Sequence, residues 1–142
     1  MAYTISKVSV WAGEVEDRPG GLADKLTALA DAGASLEFII ARRAPDKPGT
    51  GVVFLCPIKG AKQKAAAQNA GLSTSDSLHS VRVEGPDRPG LGAKMARAIA
   101  DAGINLRGLS AAALGRRAVT YLAFDSAADA DSAIRALRRA LK

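Results

Sequence analysis

The sequence predicts an α+β fold made of two tandem β-α-β-β-α units, and three observations carry that prediction. Asp17-Arg18-Pro19-Gly20 recurs as Asp87-Arg88-Pro89-Gly90 in a chain of 142 residues. Leu29-Ala30-Asp31-Ala32-Gly33 matches Ile99-Ala100-Asp101-Ala102-Gly103 at the same spacing, as do Ala23 with Ala93 and Leu36 with Leu106. Around these matches, strand-period and helix-period segments follow one another in the same order twice. A repeat of this length marks a duplicated supersecondary unit.

Each copy opens with a period-2 segment. Val8, Val10 and Ala12 share a face in the first, Val81 and Val83 in the second. Val10 lies one residue farther from its Asp than Val81 does, so this phase implies an extra residue in the first copy's loop, Gly13-Glu14-Val15-Glu16. A helix then follows Pro-Gly. Leu22, Leu26, Leu29 and Ala30 line one face in copy one; Leu91, Met95, Ala98, Ile99 and Ala102 do so in copy two. Pro19 and Pro89 suit a first helical turn, where a missing N–H is no loss. Gly33 and Gly103 suit the left-handed stop.

Continuous apolar runs come next, Leu36 to Ala41 and Ile104 to Ala113, which read as buried strands. Turns at residues 45–51 and 114–116 connect them to Val52–Cys56 and Val119–Phe124, so each pair forms a hairpin. A second helix closes each copy. Ser126 with Asp129 marks its start in copy two; Lys59 to Ala70 is the weaker, Ala-rich equivalent. The order β-α-β-β-α is most of the ferredoxin-like plan, with antiparallel sheets expected side by side and helices on one face. That plan needs a fourth strand. The expectation is a short or missing one in both copies, or an edge completed by a neighbour, and an open edge invites pairing. The expected division is a first unit over 1–72, a linker or short fourth strand over 73–77, and a second unit over 78–142.

Composition narrows the function. One Cys and one His cannot close a Cys/His metal site or an internal disulfide. No metal and no cofactor is therefore expected. No segment has the length and apolarity of a membrane span, and the N-terminus lacks a signal-peptide plan, so a cytoplasmic chain is expected. Net charge is +6. Basic residues are interleaved with acids rather than clustered, which favours a solvated surface over nucleic-acid binding. No Gly-x-Ser-x-Gly, Walker loop, His-based pair or acidic metal cluster is present, so no catalytic residue is assigned and an enzyme is not expected.

The Asp-Arg-Pro-Gly turn between strand and helix, the Ala102-Gly103-Ile104-Asn105-Leu106 segment and the tandem βαββα order resemble ACT domains, the small amino-acid-sensing regulatory modules. Such pairs resemble those of aspartate kinase tails and the glycine-cleavage repressor. The second copy is the closer match. The resemblance implies a free amino acid as ligand, held where two units pack together, and a metabolic enzyme or regulator as partner; the open edge favours a homodimer. It assigns ligand contacts to Asp87, Arg88, Pro89, Gly90, Leu91 and Asn105, and to Asp17, Arg18 and Gly20 in copy one. Ser35 stands in copy one where copy two has Asn105, Ala34 where it has Ile104, and the Gly85-Pro86 pair has no counterpart. One working site per chain is compatible with this difference.

Other roles compete at each position. Asp17 and Asp87 suit helix caps or turns. Asn105 suits a local backbone bond. Cys56 suits a small buried hydrophobe, His79 a structural role, and Trp11 a covered sheet face or partner surface. The alternatives to an amino-acid sensor are a ligand-free regulatory subunit of a separate enzyme and a nucleic-acid-linked regulator.

Overall fold

The computed structural model describes residues 2–74 and 79–142. The chain divides into two compact units. One spans Ser9–Ser75; the other joins Met1–Val8 to Asp76–Lys142. They are called here the N-terminal and C-terminal units.

In the N-terminal unit the elements are β2 (Trp11–Glu16), α1 (Gly21–Asp31), β3 (Phe38–Arg43), β4 (Thr50–Cys56), α2 (Gly60–Asn69) and β5 (Ser73–Thr74). The sheet order is β3-β4-β2-β5. In the C-terminal unit they are β1 (Thr4–Val8), β6 (His79–Pro86), α3 (Leu91–Asp101), β7 (Gly108–Leu114), β8 (Arg117–Phe124) and α4 (Ala127–Ala140), with sheet order β1-β6-β8-β7. Every pairing is antiparallel. The ferredoxin-like expectation is met in both units.

The fourth strands differ. Copy one makes its own, the two-residue β5, which covers only Trp11 and Ala12. Of the expected linker 73–77, residues 73–74 form this strand and 75–77 lie outside the described residues. Copy two borrows its fourth strand from the other end of the chain: β1 runs beside β6 with Ile5 opposite Val83 and Lys7 opposite Val81. Thr4–Val8, assigned by the repeat to the first unit, therefore completes the sheet of the second.

This corrects the phase of the first strand. Val8 and Val10 are not on one strand with Ala12; β1 ends at Val8 and β2 starts at Trp11. Trp11 and Val15 point into the core with Val53, Leu55 and Leu29. Trp11 precedes Asp17 by the same six positions by which Val81 precedes Asp87. The repeat holds without an inserted residue. Trp11 is thus a core residue of its own unit.

The apolar runs also need correction. β3 and β7 are edge strands, largely exposed, rather than buried ones. Ile39 is 45%, Leu109 43% and Leu114 89% exposed. A run of apolar residues looks the same in sequence whether a strand is covered on both faces or sits at an edge awaiting cover.

The cores are aliphatic. Val81, Val83, Met95, Ile99, Leu122, Phe124 and Leu137 are nearly or fully buried in the C-terminal unit, and Ile5 joins them from β1. α1 and α3 end alike. Gly33 and Gly103 have φ of +86° and +76°. Ala34 N–H donates to the Leu29 carbonyl at 3.0 Å and Ile104 N–H to the Ile99 carbonyl at 3.1 Å, the paired-bond stop that glycine permits. At the start of α4, Asp129 N–H donates to Ser126 Oγ at 3.1 Å, as its capping signature predicts.

Candidate functional site

The two Asp-Arg-Pro-Gly loops join β2 to α1 and β6 to α3. Their backbones are closed in the same way. Asp17 N–H donates to the Gly49 carbonyl at 3.1 Å, and Asp87 N–H to the Arg116 carbonyl at 2.8 Å. Each loop is thus tied to the hairpin turn ahead of the central strand. Gly21 N–H reaches the Arg18 carbonyl and Leu91 N–H the Arg88 carbonyl, both at 3.1 Å. The helix N-caps are Gly20 and Gly90, both left-handed with no side-chain cap bond. The prolines therefore sit before the cap rather than in the first turn. Neither Asp17 nor Asp87 caps the helix with its side chain.

The side chains diverge where the backbones agree. In the N-terminal unit, Arg18 Nε meets Glu16 Oε2 at 2.5 Å and Arg18 Nη2 meets Asp24 Oδ2 at 3.0 Å. These bonds, Glu16's first, push the Arg18 guanidinium up from its ordinary value. Asp17 pairs with Arg43 at 3.0 Å. Both charged loop residues are consumed within the unit. In the C-terminal unit the matching positions are Pro86, Lys94 and Ala113: the first two offer Arg88 no carboxylate, and Ala113 offers Asp87 no cation. Among the described residues Asp87 and Arg88 make no ion pair; Arg88 Nη1 approaches only the Asp87 carbonyl, at 3.5 Å. Both loops' Asp, Arg, Pro and Gly residues are exposed.

A groove of about 190 Å³ lies between the N-terminal loop and the β3–β4 hairpin, lined in part by Asp17, Arg18, Leu22 and Arg43. A second hollow of about 300 Å³ lies on the other side of Arg18, lined by Glu14, Glu16, Gly21, Asp24 and Lys25. Lys25 Nζ donates to the Ala70 carbonyl. Lys25 stands where copy two has the fully buried Met95. At the rims of these grooves Arg18 is paired with Glu16 and Asp24, and Asp17 with Arg43.

Asn105 is exposed and lies in the connection between α3 and β7, three residues ahead of the strand. Asp87 to Leu91 sit at one end of α3 and Asn105 at the other. Eleven helical residues at 1.5 Å each separate them by about 16 Å. One amino acid cannot bridge both within a unit. The structure thus brings Asp87, Arg88, Pro89, Gly90 and Leu91 together and leaves Asn105 apart.

The family model for the ACT domain matches residues 14–70 and 79–142. The chain is a tandem member of the ACT family. No curated protein matches the sequence. Among solved structures, it resembles the ligand-free regulatory subunit of aspartate kinase from Thermus thermophilus at 21% identity and a TM-score of 0.70, over 100% of this ACT chain and 98% of that one. Aspartokinase α and β subunits match at 22% identity and a TM-score of 0.65, over 99% and 97%. A Bacteroides thetaiotaomicron protein matches at 15% identity and a TM-score of 0.78, over 95% and 89%. At these identities the likeness is one of fold. No helix among the described residues is long and apolar enough to cross a membrane.

Sequence reasoning missed Tyr3, whose place beside the C-terminal loop depends on the borrowed strand. It also missed the partners of Arg18. Their signal was present: Glu16 and Asp24 align with Pro86 and Lys94.

Proposed function

We propose that this ACT protein is a non-catalytic regulatory module that binds a free α-amino acid and modulates a metabolic enzyme. The carrying observation is the C-terminal loop: Asp87 and Arg88 are exposed, adjacent and free of ion pairs among the described residues, whereas Asp17 and Arg18 are occupied. A carboxylate to receive an ammonium group, a guanidinium to receive a carboxylate, and an uncapped helix start match the two ends of a zwitterion.

Asn105 completes the site from a second unit. β6 and β7 are both antiparallel to β8, so they run parallel and the loop lies at the far end of the unit from Asn105. Antiparallel pairing of the β7 edges of two copies sets Asn105 of one beside the loop of the other. The exposed Leu109 and Leu114 on that edge support a homodimer of this form. The regulatory subunits among its structural relatives support an enzyme of amino-acid metabolism as partner. The N-terminal residues Asp17, Arg18 and Gly20 serve structure in this reading.

The test is a thermal-shift screen against the twenty amino acids. A ligand at a hundred times its Kd adds about 2.7 kcal/mol, a shift of roughly 5 °C or more at this size. Stabilisation by one or a few chemically related amino acids supports the sensor. Silence from folded protein moves the weight to a ligand-free subunit. Steeply salt-dependent DNA binding would favour the nucleic-acid reading instead.

A further inference from the structure

The hydroxyl of Tyr3 donates to the carbonyl of Pro86 at 2.8 Å, a part-buried bond across 83 positions of the chain. Its ring occupies the space over Gly85. A Cβ built on Gly85 would lie 2.8 Å from Tyr3 Cε1 and 2.9 Å from the Ala2 carbonyl oxygen, closer than side-chain carbons pack. β1 leads on directly from Tyr3, with Thr4 opposite Glu84 and Ile5 opposite Val83. Ile5 is 7% exposed and packs into the core, so the ring and hydroxyl of Tyr3 are carried on an anchored strand.

The result is a two-sided grip on the residues just ahead of Arg88. Tyr3 holds the Pro86 carbonyl from one side, and the Arg116 carbonyl holds Asp87 N–H at 2.8 Å from the other. The N-terminal loop shares the hairpin bond, from Asp17 N–H to the Gly49 carbonyl, and differs on the other side. There the Glu16 carbonyl, in the position of the Pro86 carbonyl, accepts from Arg18 N–H at 2.9 Å, and the Arg18 side chain is fastened to Glu16 and Asp24. Among the described residues the C-terminal loop has no such internal fastening.

We propose that Tyr3 is a positioning residue of the C-terminal loop, acting through the Pro86 carbonyl to fix where Asp87 and Arg88 present their charges. The proposal rests on the reading of that loop as the ligand-holding segment. Tyr3 itself touches no ligand. Gly85 has a matching role: it is the residue whose missing side chain admits the ring.

Amide hydrogen exchange on the full-length protein without ligand, comparing wild type with Tyr3→Phe, is the first test. The variant keeps the ring and deletes one hydroxyl. Exchange at the amides of Asp87 and Leu91, which are bonded to the Arg116 and Arg88 carbonyls, should quicken about fivefold, the factor that one net hydrogen bond is worth. The amides of Asp17, Arg18 and Gly20 should not change. Calorimetric titration with each of the twenty amino acids should show a similar loss of affinity for whichever binds. Tyr3→Ala, which also removes the ring, should exceed the phenylalanine variant in both readouts. Unchanged exchange at Asp87 and Leu91 in both variants overturns the proposal, as does acceleration spread evenly over both units. So does a binding wild type whose affinity neither variant alters. If no amino acid binds the wild type while the local exchange effect is present, the positioning stands and the ligand reading of the loop falls.

Discussion

Arg18 holds Asp24 at 3.0 Å, and the residues in the same two places of the second copy are Arg88 and Lys94. One substitution thus turns an ion pair into a like-charge neighbour. With Glu16 replaced by Pro86, it leaves Arg88 available. Exposed pairs are individually weak, but a ligand's carboxylate must displace both from Arg18 and neither from Arg88. Binding should therefore be confined to the C-terminal copy, at one ligand per chain by calorimetry. Asp87→Ala and Asn105→Ala should abolish ligand stabilisation with the fold intact. Asp17→Ala and Ser35→Ala should leave it within twofold. Normal binding by both Asp87→Ala and Asn105→Ala would mean that the site lies elsewhere.

Ile5 tests the borrowed strand. Its side chain is 7% exposed in the core of the C-terminal unit, yet the chain runs on from β1 into β2 of the other. Ile5→Ala should destabilise by about 2–4 kcal/mol. Exchange protection should fall across residues 79–142 and hold across 11–56. Loss of protection in the N-terminal unit instead would place β1 wrongly.

The duplication itself could be read because its landmarks are chemically forced. A left-handed stop at Gly33 and Gly103 needs glycine, and a tight strand-to-helix turn needs the Pro-Gly pair. Core positions such as Met95 and Ile99 announce themselves by helical spacing. The strand exchange could not be read, because pairing partners are a matter of register between distant segments. Lys7-Val8-Ser9-Val10 alternates smoothly across the break between β1 and β2. Nor does Leu36 to Ala41 say whether it is sandwiched or at an edge. At the site, Asp87 and Arg88 could be named by motif. Their freedom from internal partners depends on what Pro86, Lys94 and Ala113 fail to offer, which is a comparison of geometries.

Acid should loosen the C-terminal unit first. The hydrogen bond from Lys7 holds the Asp131 carboxyl below its ordinary value of 3.8. That from Arg82, with a second from Arg117, holds Glu84 below 4.5. Both groups join elements around β1 and β6: Lys7 lies on β1 and Asp131 on α4. A carboxyl with a depressed folded-state pKa favours folding only while ionised. The contribution is complete above about pH 4.5 and fades as pH falls through the lower folded-state values. Asp131→Asn and Glu84→Gln should flatten the dependence of Tm on pH below 4.5 and leave its shape near pH 7 alone. An unchanged acid limb in the double variant would show that these pairs do not couple to folding.

Two glycines of the C-terminal unit should respond to alanine with opposite signs. Gly92 lies in the first turn of α3, exposed, with open space where a Cβ would go. Gly92→Ala removes backbone entropy from the unfolded chain and should stabilise by about 0.5–1 kcal/mol. Gly103 has φ +76° with the same open space around it, so its cost is purely one of backbone conformation. Gly103→Ala should destabilise by about 1–2 kcal/mol. It should also disturb Asn105, two residues on, since the Ile104 N–H bond to the Ile99 carbonyl fixes how the chain leaves the helix. Urea unfolding gives both stabilities, and titration with the amino acid found by screening separates them functionally. The Gly92 variant should bind as wild type does, and the Gly103 variant should bind more weakly than its stability alone explains. Equal affinities in the two would mean that the helix stop does not set the position of Asn105.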